Sequence, residues 1–465
     1  MAGREPYSSK SRTALVLTGT GTAGAYHAGV LRALTEAGVR VDIVAGVGIG
    51  VVGACFAAID GAAPLWRPDG FWRQKGVGRL YPWRRILRWL GLCCAAAAAV
   101  VAIPIALLAA GAVVYPAAFL LGRAHLNAAA ALSDGYAALL HEAFLPDRLL
   151  AWTADLALLV LVAGLVSVGM AAMRGRLKGR HREQGRLWWR AFGAPISAKE
   201  AIDFWRLAMW RLISGGAQAP QPDPVQLSRR YSEVLADNLG QPGFRELIAL
   251  VHDLDARRDL VMAVLAEPYR SSFFGRRRRT AQWADRANDT IDLAGADRDH
   301  VTDLLAAALC LPMVTPPWPV TFAPESFWQG ETHRLCDRPD AIIRLLEEVQ
   351  TAGAEQVIVV SATPATTEAH TLRDPRIDGR GRVGEWLASS DTAALRDALA
   401  ARMDQFLNLH LIRPDHNPIG PLDVAGAHDS RSDRPVPLAE LLEIGYADAQ
   451  RQFIEPVIGA VDGNA

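Results

Sequence analysis

The hydrophobic positions of this chain come in three textures, and each predicts a different kind of element. Short apolar runs dominate the two ends. Ala14-Leu15-Val16-Leu17-Thr18 and the stretch over 39–45 have the length and bounding of buried strands. Between them Ala28, Leu31 and Leu34 recur at helical spacing, which predicts a helix over 25–37 closed by Gly38. Strand, helix and strand in this order predict a βαβ unit and so a parallel sheet. Farther along, strand-like pieces lie around Leu247-Ile248-Ala249-Leu250-Val251 and over 259–264. Gln356-Val357-Ile358-Val359-Val360-Ser361 is a β-branched run of the sort buried in a parallel sheet. Helices are expected over 301–311, 341–352, 392–409 and 438–458, with two more within 185–216. Residues 217–224 read as a Pro/Gln linker, 284–297 as largely polar, and the stretch to about 435 as turn-rich.

The second texture is unbroken. No charged residue occurs over 89–122, and at ~1.5 Å per residue this run exceeds the ~30 Å of a bilayer core, even with bends at Pro104 and Pro116. A second uncharged run, 156–173, is near the lower length limit for a span. The two runs are either membrane spans or a pair of helices buried in a large soluble domain. The first is longer than most core helices, which favours the membrane. Charge sharpens the reading. Arg84, Arg85 and Arg88 precede the first run; Arg174, Arg176, Lys178, Arg180 and Arg182 follow the second; Asp134, Glu142, Asp147 and Asp155 lie between. The positive-inside rule then places both outer flanks in the cytoplasm, so residues 1–85 and 174–465 share a compartment and can fold together. The expected organisation is the first part of an α/β domain over 1–85, a membrane hairpin over 86–175 with spans near 89–122 and 156–173, a helical connector over 176–240, and the rest of the α/β domain over 241–465. Residues 1–12 are polar, so no signal peptide is expected there.

Composition adds little to this. Apolar residues make up 51% of the chain, and the mean hydropathy of +0.11 reflects the two long runs. The net charge of zero implies no nucleic-acid partner. Arg276-Arg277-Arg278-Arg279 is a local exception, either a solvated loop or a contact for anionic lipid head groups. Five scattered cysteines have no metal-binding spacing, and neither metal nor cofactor is expected.

The third texture is glycine. Gly19-Thr20-Gly21-Thr22-Ala23-Gly24 leaves the first strand, and Gly46-Val47-Gly48-Ile49-Gly50 leaves the second and opens a small apolar helix over 51–59. The first loop formally matches a dinucleotide fingerprint. A nucleotide-binding unit of that kind wants an acid at the end of its second strand; here Asp42 lies near that strand's start, and a second glycine turn follows. Two successive glycine turns fit a different layout, in which the first supplies an oxyanion hole and the second a nucleophile elbow.

Residues 17–31 together with 42–54 resemble the opening of the patatin-like phospholipase family. Later segments resemble it as well: 244–264, 301–317, 353–360, 411–423 and 438–453. The resemblance implies an α/β, three-layer fold with a central, mostly parallel sheet, here interrupted by the inserted transmembrane hairpin. It also implies a serine–aspartate dyad that cleaves lipid acyl esters. The chain departs from the family in its chemistry. Gly48 stands at the serine of G-x-S-x-G. Ala23 stands at the arginine of G-G-G-x-R-G, and Thr20 replaces a glycine. The best match to the aspartate motif is Phe327-Trp328-Gln329-Gly330-Glu331, which places Gln329 at the aspartate. An amide cannot serve as a base, and a glycine offers no nucleophile.

The expected function is therefore that of a membrane-anchored pseudoenzyme with its α/β domain on the cytoplasmic side. It would bind membrane lipid or acyl groups in a glycine-lined pocket, or scaffold a protein partner or a second copy. The alternative is an active lipid acyl hydrolase with relocated residues. Ser361 and His27 are the nearest candidates for that role, although each reads more simply as a local structural residue. His333 and Asp337 have no partner at a diagnostic spacing.

Overall fold

A computed structural model describes residues 7–60, 62–126, 128–148, 152–176, 193–215, 220–275, 288–324, 326, 328–364, 379–417 and 437–459. The basic run over 276–279, residues 217–219 of the linker and most of the turn-rich stretch, 418–436, lie outside the described residues. The elements in order begin with β1 (Thr13–Thr18), α1 (Ala23–Glu36), β2 (Ile43–Val47), α2 (Gly50–Ala58) and α3 (Ala63–Trp66). Then come α4 (Arg85–Arg123), α5 (Ala128–Ala143), α6 (Thr153–Arg176), α7 (Lys199–Ile213) and α8 (Pro224–Asn238). β3 (Glu246–Asp253), β4 (Arg258–Val264), α9 (Tyr269–Gly275), β5 (Asp289–Asp292), α10 (Val301–Ala308), β6 (Trp318–Thr321) and β7 (Thr332–Cys336) follow. The chain closes with α11 (Ile342–Thr351), β8 (Gln356–Ser361), α12 (Gly379–Arg402), β9 (Asn408–Ile412) and α13 (Leu438–Ala449).

These elements form two compact units, Met1–Pro82 with Ile196–Ala465, and Trp83–Pro195. The first is α/β. Its sheet runs β5-β4-β3-β2-β1-β8-β9, with β7 pairing the end of β3 and β6 pairing β7. Strands β8, β1, β2 and β3 are mutually parallel, as the βαβ pattern requires. Strand β1 shows why the sheet is buried on both faces. Leu15 and Leu17 point into one apolar cluster, with α1 and α13, while Ala14 and Val16 point into another, with α11. Helices thus cover both faces of the sheet. The helices over 199–238, within the stretch expected as a helical connector, belong to this unit.

The second unit is the insertion. Among its described residues, two helices are long and apolar enough to cross a membrane. The segment expected to link them holds a further helix, α5. Two backbone hydrogen bonds close the neck: Ser197 N–H donates to the Pro82 carbonyl within the α/β unit, and Arg84 N–H to the Pro195 carbonyl within the insertion.

Candidate functional site

Strand β2 delivers its last residue, Val47, to the turn, and α2 starts three residues later at Gly50. So tight a reversal leaves Gly48 at φ +59, a region that glycine enters without a Cβ clash. Space imposes the same choice. A Cβ added at Gly48 would lie 2.4 Å from the carbonyl oxygen of Gly19 and 2.9 Å from Oδ2 of Asp337. The place where a serine side chain would begin is already filled, on one side by rigid backbone.

The loop over 19–24 presents a backbone carbonyl to the elbow. Ile49 N–H donates to the Gly19 carbonyl at 3.0 Å. In a working elbow, the amide of the residue after the nucleophile is one of the donors reserved for the developing oxyanion. Here it is consumed, and an acceptor faces the turn. The loop is also covered. Trp72 packs so closely on Gly24 that an added Cβ would lie 2.2 Å from its ring, with Ile49 against the same spot. Every residue over 19–24 and 46–50 is buried. The glycines of both turns are thus covered by packed side chains and backbone. A cavity of about 60 Å³ lies elsewhere, lined by Leu15, Leu31, Leu34, Val44, Trp66 and Arg245 among others.

The carboxylate that faces Gly48 is Asp337. The pairing of β7 with the end of β3 carries Asp337 there, and its N–H donates to the Cys310 carbonyl at 2.8 Å. It is 1% exposed, and neither carboxylate oxygen has a hydrogen-bond partner. Burial holds its carboxyl well above the usual range, and the charge of Asp391 adds to that; the nearby amides of Arg338 and Gly48 pull the other way without completing a hydrogen bond. Asp391, on α12, is itself pushed up to about 8 by burial and by Asp340.

Gln329, matched by sequence to the aspartate motif, is an exposed residue at φ +46 in the turn between β6 and β7. Asp337 gave no comparable signal, because Arg338-Pro339 follows it where the motif wants glycine. The other candidates are engaged locally. His27 Nε2 is 3.0 Å from the Thr18 carbonyl, and burial lowers its pKa to about 4. Ser361 Oγ accepts the Thr363 N–H at 3.2 Å. His333 does have a partner: its Nδ1 contacts Asp253 Oδ2 at 2.5 Å, and its Nε2 contacts Glu331 at 3.0 Å. Burial opposes the imidazolium, but these two carboxylates outweigh it and raise the His333 pKa. Among the described residues, no cluster of three or more His, Cys, Asp or Glu side chains could hold a metal ion.

One family model spans both glycine loops. The model of the family described as patatin-like phospholipase matches residues 15–337, a match whose last residue is Asp337. Among solved structures, VipD from Legionella pneumophila aligns with 12% identity and a TM-score of 0.31, over 96% of this chain and 67% of that one. No curated protein sequence matches.

Proposed function

The chain belongs to the patatin-like phospholipase family, and from that membership we propose that it is a non-hydrolytic member. Its insertion anchors it in a membrane with both junctions on the cytoplasmic side, and there it binds lipid or scaffolds a protein partner. The observation that carries this reading is the Gly19 carbonyl, 2.4 Å from where a Cβ of residue 48 would stand. In this reading Asp337, which faces Gly48, takes the role of the family's aspartate, while Gln329 lies exposed in the turn between β6 and β7. The carboxylate of a dyad survives; its nucleophile and one oxyanion donor do not. Loss of a nucleophile alone removes a factor on the order of 10⁶ in a serine hydrolase. A buried carboxyl facing no hydroxyl has no proton to accept from a nucleophile, and the covered loop offers an acyl chain no entry at this point. Scaffolding, or lipid binding at the membrane-anchored surface, is accordingly the better supported role.

Purified full-length chain, supplied with short acyl esters and with phospholipid vesicles, is expected to release no acid above the buffer rate. It should also take no label from a serine-directed fluorophosphonate. Turnover that disappears in Asp337→Asn would sink the proposal.

A further inference from the structure

The chain leaving α2 is clamped to the entry of β3. Ile59 bridges to Phe244, and Arg245 N–H donates to the Ala58 carbonyl at 2.8 Å. Helix α3 follows and packs on α1. These pieces enclose the cavity of about 60 Å³. Its floor is apolar and buried, formed by Leu15 of β1, Leu31 and Leu34 of α1, Val44 of β2 and Ala57 of α2. It lies near the end of the sheet where β1 and β2 begin, while Gly48 leaves β2 at the other end.

Thr35, Asp60 and Arg245 line the same cavity. Thr35 spends its hydroxyl on the Leu31 carbonyl at 2.7 Å. Asp60 is exposed and lies beside Gly243. Arg245 is half-buried. Its Nη1 donates to the carbonyls of Ala57 at 2.6 Å and Gly243 at 3.4 Å. Among the described residues, no carboxylate forms an ion pair with it. Asp42, an acid whose charge it feels, is engaged by Arg40 at 2.9 Å. Burial lowers the Arg245 pKa, and the charges of Asp60 and Asp42 oppose that shift without cancelling it. The guanidinium stays charged even so. It therefore stands beside an apolar wall without the anion that would offset its lost hydration.

We infer that this cavity is a binding site for a short-chain carboxylate, with the alkyl tail on the floor of leucine and valine side chains and the carboxylate on Arg245. The charge selects the head group. A carboxylate supplies the missing anion and matches the planar fork of a guanidinium, whose Nη1 is already committed to backbone. The volume selects the tail. About 60 Å³ exceeds what one water needs, yet it is under half of the ~150 Å³ that admits benzene in an engineered apolar cavity. A tail of about two to four carbons fits, and a ring or a long acyl chain does not. The site needs neither a bilayer nor a nucleophile, so it stands apart from the role proposed above.

Butyrate is the probe. In methyl NMR spectra of the full-length chain, the signals of Leu34 and Val39, assigned through Leu34→Ile and Val39→Ile, should shift saturably as butyrate is added, with a dissociation constant in the millimolar range. Butyramide has the same size and no charge; it should bind roughly tenfold more weakly. Benzoate should leave these signals in place. Arg245→Gln should abolish the preference for butyrate while butyramide still binds, a result that an unfolded variant could not give. Asp60→Asn should tighten butyrate binding, because the charge of Asp60 competes for the same guanidinium. The parent chain decides the matter without any charge variant. Signals that stay fixed at roughly 50 mM butyrate, or that respond equally to butyrate and butyramide, would overturn the inference.

Discussion

The α/β unit and the insertion are written in the same apolar alphabet and use it in opposite ways. Leu17 and Leu120 are both leucines in uncharged runs. Leu17 is wholly buried between α1 and the sheet, while Leu120 is 68% exposed. In the first unit apolar residues find one another, and the folded protein is their solvent. In the second they line a single seam on α4 and leave the remaining flanks open, which is stable only where something other than water covers them. A run of hydrophobic residues therefore specifies burial, and the surrounding elements decide in what.

That contrast can be broken directly. Leu17→Ala should cost the α/β unit ~2–5 kcal/mol, read by denaturant unfolding, while Leu120→Ala should leave it unchanged. Equal costs would mean that the two runs share one core. Next in size is a charge in the anchor. Val101→Arg should weaken insertion by ~3 kcal/mol and shift the chain out of the membrane fraction, whereas Asp134→Arg should not.

The buried acids predict a pH effect. Asp337 and Asp391 hold protons in the folded chain that the unfolded chain releases above about 3.8. The unfolded state then binds fewer protons, so stability falls as pH rises from that range toward about 8, the folded value of Asp391. Asp337→Asn should flatten this slope and raise the melting temperature at pH 8 more than at pH 5. A rise that is independent of pH would mean that the carboxyl is ionised in the fold. The smallest effect belongs to His333. Its raised pKa means that the clasp to Asp253 stabilises at low pH and weakens as pH rises through the folded value. Glu331→Gln should lower that pKa in an NMR titration and change stability by less than ~1 kcal/mol.

Much of this fold was legible in the sequence, because its central elements carry strong periodic signals. Strands β1 and β8 and helices α1, α10 and α11 fall close to where the pattern put them. What escaped was short or set from a distance. Asn408 and Leu409 read as the end of the helix expected over 392–409, yet they open strand β9, laid parallel along β8. Helix α5 lay within a segment of mixed composition and was not predicted. Asp337 could not be found by motif: it reaches the elbow through the pairing of His252 with Cys336, residues 84 positions apart. The glycines were visible, but the direction of the Gly19 carbonyl, which closes on the position of a residue-48 Cβ, was not.

The seal is tested most directly by restoring the hydroxyl. Full-length Gly48→Ser, with Asp337 already beside it, should remain unlabelled by fluorophosphonate and should melt lower than the parent, since the new Cβ must displace the Gly19 carbonyl and the residue must hold a left-handed backbone at a cost of ~1–3 kcal/mol. Rapid labelling with ester turnover would contradict the account, because it would mean that the elbow is open and lacks only its serine.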